Sequence, residues 1–457
     1  MLAVKDTATS IVRRLREAGH IAYFNGGCVR DMVRSVEPHD FDIATSATPE
    51  QVQGLFTKTV QVGAAFGVIL VLENGHQFEV ATFRTDEAYI DGRRPTSVRF
   101  GSPEEDAQRR DFTINGLFYD PVGEGRIIDF VGGRADIERK LVRTIGDPHH
   151  RFTEDKLRLL RCVRFAANLG YEIEAATFDT VREMAPQIHI VSAERIRDEL
   201  IKIFTRPHAG RGLGLLDTSG LLAEVLPEIA AMKGVEQPPE FHPEGDVFRH
   251  TKLMLDMMSN ATSQELGPPK DKTLLAFSVL LHDVGKPPTF QRAPDRIRFN
   301  EHDRIGAEMA ETILRRLRFS NDEIEKIVLC VREHMRFQFV QEMRPAKLKR
   351  MLARDTFPIE LELHRIDCSS SHRNLGNYEF LKAKATELPP EVVKPPPLLT
   401  GHDLLALGLT PGPAVGRILR EIEELQLEER LNSRAEALEF ARSRAVEVPP
   451  KTPDAAT

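Results

Sequence analysis

Apolar residues fall at Ile11, Val12, Leu15 and Ala18, one stripe of a helix over 6–19. "HIAYF" then reads as a strand, and "GGCVRDMVRSV" opens a helix straight after it. "DFDIAT" is a second strand, and alternation in 67–72 and 77–83 predicts more. Residues 1 to about 145 therefore form an α/β or α+β unit. From Thr153 to about Phe204 the pattern is helical with no strand signal, and Ser192 is placed to cap a helix from Ala193. A Pro-rich break at 236–245 precedes a helical, histidine-containing block running to about 375. A second Pro-rich linker, "LPPEVVKPPPLL", leads to a helical piece, "GPAVGRILREIEELQLEERL". The last dozen residues read as disordered, and no internal repeat is present.

Composition narrows the class. The 457 residues predict several domains. Charged residues make up 29% and hydrophobic ones 41%, as in soluble globular proteins, and no transmembrane span or signal peptide is seen. Four scattered cysteines without zinc-ligand spacing suit a reduced, cytoplasmic setting. A net charge of -7 does not suggest a nucleic-acid binder, but a basic groove can sit on an acidic chain.

The stretch "NGGCVRDMVRSVEPHDFDIAT" carries the first candidate site. Residues two apart on a strand share a face, so Asp40 and Asp42 project together while Phe41 and Ile43 face the core. Paired carboxylates repel unless a cation joins them, and Mg²⁺ is commonly held by one or two carboxylates plus substrate phosphates. Gly26 and Gly27 form a strand-to-helix turn that lets a phosphate approach the backbone, with Arg30 one turn on. Either motif alone is common as a plain turn or a solvated strand end; together, in this order, they are not.

G-G-x-V-R-D followed by D-x-D resembles the class II tRNA nucleotidyltransferase and bacterial poly(A) polymerase family, polymerase-β-like nucleotidyltransferases. Later segments match in order: "TFRTDEAYIDGRRPTSVRF" (82–100) is similar to the family's flexible loop and "RRDFTINGLFYDP" (109–121) to its second motif, with Gly116 where alanine is common. "DFVGGRADIERK" (129–140) resembles the hinge, "EDKLRLLRCVRFA" (154–166) the nucleotide-selecting helix and "ERIRDEL" (194–200) the last motif. The resemblance implies that Gly27, Arg30, Arg110, Asp155, Arg158, Arg161 and Arg164 contact the nucleotide. Asp111 is either a third active-site carboxylate or a partner of a nearby arginine.

Asp155 and Arg158, three apart, are expected on one helix face. Cytosine and adenine each present an amino donor beside a ring-nitrogen acceptor; uracil and guanine present the reverse. A carboxylate beside a guanidinium fits the first pair and leaves buried polar groups unpaired with the second.

The third candidate site lies in "LLAFSVLLHDVGKP", an apolar helix that runs into His-Asp and stops at Gly-Lys-Pro. With further His and Asp on later helices it resembles the HD family of metal-dependent phosphohydrolases. That implies His250, His282, Asp283 and Asp367 as ligands of a divalent metal of unspecified identity, with His302 and His334 auxiliary. Lys286 is either a phosphate contact or a helix-end cation, and "RPAKLKRMLAR" (344–354) either a tRNA contact or a solvated face.

The expected fold class is α+β: a polymerase-β-like head with a mixed sheet over 1–148, then all-α parts. These are a neck and body for nucleotide selection and RNA binding (149–235), an HD domain (240–378) and a tRNA-binding tail (398–447). The expected activity is Mg²⁺-dependent addition of CCA, or the terminal A, to tRNA from CTP and ATP. An HD phosphohydrolase acting on RNA-end, cyclic or 2′-phosphates would accompany it. The rivals are a bacterial poly(A) polymerase, often with a basic C-terminal extension unlike "VEVPPKTPDAAT", and a phosphohydrolase with an RNA-binding head. Oligomeric state is left open.

Overall fold

The computed structural model describes residues 4–63, 67–86, 98–123, 125–260 and 269–446. The core of the loop expected at 82–100 and the last residues of the chain lie outside these. The chain divides into two compact units. The first comprises Met1–Val235, Asp246–Ala276 and Thr312–Asn321; the second Glu236–Gly245, Phe277–Glu311 and Asp322–Thr457.

The first unit is built on a seven-stranded sheet. Its strands are β1 (Ala22–Asn25), β2 (Asp42–Thr45), β3 (Thr59–Gly63), β4 (Val68–Glu73), β5 (His76–Thr82), β6 (Leu117–Tyr119) and β7 (Ile127–Asp129), in the spatial order β3-β4-β5-β2-β1-β6-β7. All neighbours are antiparallel except β2 and β5. One face packs on the helix Val4–Glu17 through Ile11, Val12 and Leu15, all fully buried, as the stripe predicts. Phe24, Ile43, Phe78, Val80 and Phe118 fill the interior.

Gly26, at φ +70°, turns β1 directly into α1 (Gly27–Val33). An L side chain there is strained, and its Cβ would also come within 3.3 Å of Arg110. A helix-rich segment follows the sheet. It contains α2 (Leu157–Leu169) and α3 (Ala193–Phe204), which pack on each other. Ser192 sits at the N-cap of α3 in extended conformation, but its side chain makes no capping bond. A two-residue strand, Glu172–Ile173, pairs in parallel with Leu141–Val142 where only helix was expected; two bonded residues are too few to leave an alternating signature. The helix Val247–Asn260, from the expected HD block, packs in this unit against Ala209–Thr218. Gly210 permits the close approach, since a Cβ there would meet the Lys252 carbonyl at 2.4 Å.

The second unit is helical apart from the hairpin Phe290–Arg292/Ile297–Phe299. Its tail has its own core, including Leu404, Ile418, Ile422 and Ala437. No described helix is long and apolar enough to cross a membrane.

Candidate active site

A cleft of about 540 Å³ opens in the first unit above the β1–α1 turn. Seven arginines and three aspartates line it: Arg30, Arg109, Arg110, Arg158, Arg161, Arg164 and Arg195, with Asp42, Asp111 and Asp155. Gly26, Gly27 and Phe165 complete much of the wall. Such an excess of guanidinium groups beside a glycine turn suits a polyphosphate.

Asp42 begins β2, paired across the sheet with Asn25 of β1. Phe41 and Ile43 are buried as alternation requires, and the exposed Asp40 precedes the strand rather than lying within it. Burial pushes the Asp42 carboxyl up to about 6; Glu79 and Asp40 push in the same direction and Arg110 opposes them. Glu79 was not anticipated. It precedes Val80 on β5 as Asp42 precedes Ile43 on the parallel neighbour β2, and Ile43 and Val80 are register partners. The signal was in "QFEVAT", an acid between the buried Phe78 and Val80. A buried carboxylate whose charge is disfavoured by two neighbouring carboxylates is a setting that a divalent cation relieves.

The arginines are held by acids beneath them. Arg110 reaches Asp106 with Nε (3.1 Å) and Nη2 (2.7 Å), and its Nη1 donates to Asn25 Oδ1 at 3.0 Å. Arg30 donates to Asn115 Oδ1 at 2.9 Å. Arg161 donates to Asp111 Oδ2 from Nε at 2.8 Å. The other Asp111 oxygen takes the Phe112 N–H at 2.8 Å and the Asn115 amide at 3.2 Å. Burial alone would raise the Asp111 carboxyl, but Arg161 and Arg158 hold it well below the usual carboxylate range. Asp111 thus has an arginine partner. Arg164 pairs with the buried Glu199 of α3 at 2.6 Å. Arg30, Arg161 and Arg164 all lie over the Phe165 ring, at 5.5, 5.3 and 4.2 Å from its centroid.

Asp155 and Arg158 line the same cleft but not as two residues of one helix. The helix Pro148–Glu154 ends before Asp155, whose backbone is extended (φ −151°). The Asp155 carboxylate accepts the Leu157 N–H at 3.0 Å, capping the start of the next helix. It also receives a two-pronged contact from Arg195 of α3, at 3.1 and 2.7 Å. Arg158 pairs instead with Glu154 and donates to the Arg151 carbonyl at 2.9 Å. The spacing expectation fails because the capping carboxylate breaks the helix at the motif. Arg195 and Glu154 fell within the recognised motifs but had been given no role.

Three comparisons bear on the chain. The Poly A polymerase head domain model matches residues 22–143. The model for the probable RNA and SrmB-binding site of polymerase A matches 170–233, and the HD domain model 247–363. The head-domain and RNA-binding matches support the class II tRNA nucleotidyltransferase and bacterial poly(A) polymerase family. Among nucleotidyltransferases of this family, a CCA-adding enzyme of Streptococcus pyogenes serotype M3 is 45% identical over 210 residues, 46% of this chain and 52% of its own length. The chain spans about half the length of the curated relatives it matches. The structure of the Bacillus stearothermophilus CCA-adding enzyme in complex with CTP is 26% identical, with a TM-score of 0.71 over 98% of this chain and 100% of that one. The Thermotoga maritima CCA-adding enzyme complexed with tRNA, 18% identical with a TM-score of 0.56 over 96% and 94%, shares the fold.

In the second unit His282 and Asp283 follow the helix Pro269–Leu281, all but fully buried. Nδ1 of His282, His302 and His334 lies 2.8, 2.8 and 2.6 Å from the carbonyls of Val279, Phe299 and Val331. A carbonyl only accepts, so each Nδ1 carries the proton and each Nε2 is left as the ligand atom. Nε2 of His302 and His334 face each other at 3.3 Å, with an Asp283 oxygen 3.7 and 3.9 Å away. Burial, then His302 and His282, push His334 down to about 3, so it stays neutral. Two lone pairs and a carboxylate converging in this way fit a metal ion. His282 and Asp367 offer ligand atoms within 4.8 Å of one another. Lys286 is buried against Asp283 (2.7 Å) and Gln237 (2.7 Å) rather than exposed at a helix end. His250 is fully buried on Val247–Asn260 in the first unit. The run 344–354 is mixed: Lys349 is buried and bonds the Leu427 carbonyl, whereas Arg350 is exposed at 40%.

Proposed function

We propose that the chain is a tRNA nucleotidyltransferase that adds CCA, or its terminal A, to the tRNA 3′ end from CTP and ATP. The observation that carries this is that Asp155 and Arg158 line the same cleft as Asp42, Gly26 and Gly27. A base reader and a phosphate site thus share one space. That the B. stearothermophilus relative was solved in complex with CTP supports CTP as a ligand of this fold.

In this reading Gly27, Arg30 and Arg110 hold the triphosphate, and Arg161 and Arg164 its nucleoside end. Asp155 accepts from the amino group of cytosine or adenine, and Arg158 donates to the ring nitrogen. Asp40 and Asp42, with Glu79 beside them, hold Mg²⁺. Held there, Mg²⁺ would supply Lewis-acid activation of the tRNA 3′-hydroxyl and charge balance for the leaving pyrophosphate. Asp42 must be ionised for this, so below about pH 6 a cation has to displace the proton that burial favours there in the metal-free chain. The helices after the sheet and the tail hold the tRNA acceptor end by its shape and backbone. His282, Asp283, Asp367, His302 and His334 are assigned to a second divalent metal and to phosphate-ester hydrolysis. Buried, free cysteines suit a cytoplasmic setting.

The test offers tRNAs ending before CCA, or after CC, with CTP or ATP alone. Addition of C to the first and a single A to the second is expected. An open-ended A tail on either would make the chain a poly(A) polymerase, and no addition would refute the reading.

A further inference from the structure

Among the described residues of the head, Asp106 is the one charged group that is almost wholly buried and touches two arginines of the cleft, yet has no role in the reading above. It lies in the short helix Pro103–Gln108, capped by Ser102, and is 1% exposed. Its two oxygens are divided between the two guanidiniums. Oδ1 takes Arg109 through Nε at 2.9 Å and Nη2 at 2.7 Å. Oδ2 takes Arg110 through Nε at 3.1 Å and Nη2 at 2.7 Å. The Arg84 N–H adds a longer contact to Oδ1, at 3.4 Å.

The geometry of Arg110 gives this clamp its meaning. Its Nη1 is committed to Asn25 Oδ1 at 3.0 Å and, more weakly, to the Asn115 carbonyl at 3.4 Å. The same Nη1 lies where a Cβ on Gly26 would come within 3.3 Å. The plane of the guanidinium is therefore set from two sides, by Asp106 behind and by the glycine-turn strand beside it. A planar fork held this way presents its one uncommitted N–H, on Nη2, in one direction. Arg109 and Arg110 both line the cleft, while Asp106 does not reach it.

We propose that Asp106 is a positioning residue for the phosphate subsite, fixing the Arg109 and Arg110 guanidiniums so that they meet a nucleoside triphosphate through its phosphates. This rests on nucleotide addition in the cleft and adds a claim about phosphate alone. It also has an opposite. If Asp106 only dilutes the positive field, removing its charge makes the cleft more attractive to anions, and nucleotide binds more tightly. If it orients the arginines, removing it weakens binding, and pyrophosphate weakens in step because it shares only that subsite.

The test uses the full chain, a tRNA ending in CC and ATP, with pyrophosphate as competing inhibitor. For Asp106→Asn the KM for ATP and the inhibition constant for pyrophosphate should both rise roughly tenfold, with kcat changed far less. Discrimination of ATP against UTP and GTP should stay as in the wild type, because Asp155 and Arg158 are untouched. Asp106→Glu, which keeps the charge but moves it by one methylene, should raise both constants roughly threefold. It decides the matter should the Asn variant not fold. Unchanged or lowered constants in a variant that melts like the wild type would overturn the role of Asp106 alone. A wild-type chain that adds nothing would overturn the nucleotide-addition reading, and this role with it.

Discussion

Replacing Asp42 with Asn should stabilise the metal-free protein while abolishing nucleotide addition. The carboxyl is carried from 3.8 to about 6 by burial first, then by the charges of Glu79 and Asp40. A rise of that size corresponds to ~3 kcal/mol against the charged form. The sign follows from proton binding. Between about pH 4 and 6 the folded chain holds a proton on Asp42 that the unfolded chain has released, so stability falls as pH rises across that window. Asparagine keeps the shape and removes the charge, but is itself a polar group to be buried. The recovered stability at pH 8 is therefore ~1–3 kcal/mol, or roughly 3–8 °C in melting temperature. The assay is thermal melting of both proteins in chelator from pH 4 to 8, then with Mg²⁺ added. The two curves should meet near pH 4 and separate through about 6, and Mg²⁺ should raise the wild type by more than Asp42→Asn. A destabilised Asp42→Asn at pH 8, or a difference that ignores pH, would refute the carboxylate-crowding argument.

Asp155→Ala should relax selection against UTP and GTP by at least ~10-fold, measured as misincorporation on a tRNA ending in CC, and unchanged selection would remove it as a base reader. Gly26→Ala should cost ~1–2 kcal/mol of stability from its φ of +70° and should cut addition sharply by displacing Arg110, 3.3 Å from the new Cβ; normal kinetics would show that the turn tolerates a side chain. In the Asp42→Asn background, where the head carboxylates no longer hold a cation, His334→Ala should abolish the remaining rise in melting temperature produced by Mn²⁺ or Ni²⁺, and His334→Ala alone should leave nucleotide addition intact; a metal response retained in the double variant would place the ion elsewhere.

What could be read in the sequence depended on how local the cause is. The β1–turn–α1–β2 succession was legible because its signals, alternation and two glycines, act within a few residues. The Asp155–Arg158 pairing was not, although both residues were singled out. The helix there is broken by the Asp155 side chain capping its successor, a bond that depends on the fold around it. Glu79 was hidden for a different reason. Its effect on Asp42 arises from the parallel pairing of β2 and β5, which no spacing along the chain encodes.

The overall charge was uninformative for a third reason. A net charge of -7 does not suggest a nucleic-acid binder, yet seven arginines line one cleft. Each main contributor is backed by an acid: Arg110 by Asp106, Arg158 by Glu154, Arg161 by Asp111, Arg164 by Glu199. These acids cancel the arginines in any count, but three of them, Asp106, Glu154 and Glu199, do not line the cleft, and Asp106 and Glu199 are buried. Only Asp111 also lines it, and its oxygens are already taken by Arg161, Asn115 and the Phe112 N–H. An incoming phosphate therefore meets guanidinium edges whose directions the acids have set. Buried carboxylates of this kind contribute little net stability, because desolvation offsets the attraction. Their consequence is orientation, which is why the sharpest expectations here concern binding constants and base choice rather than folding.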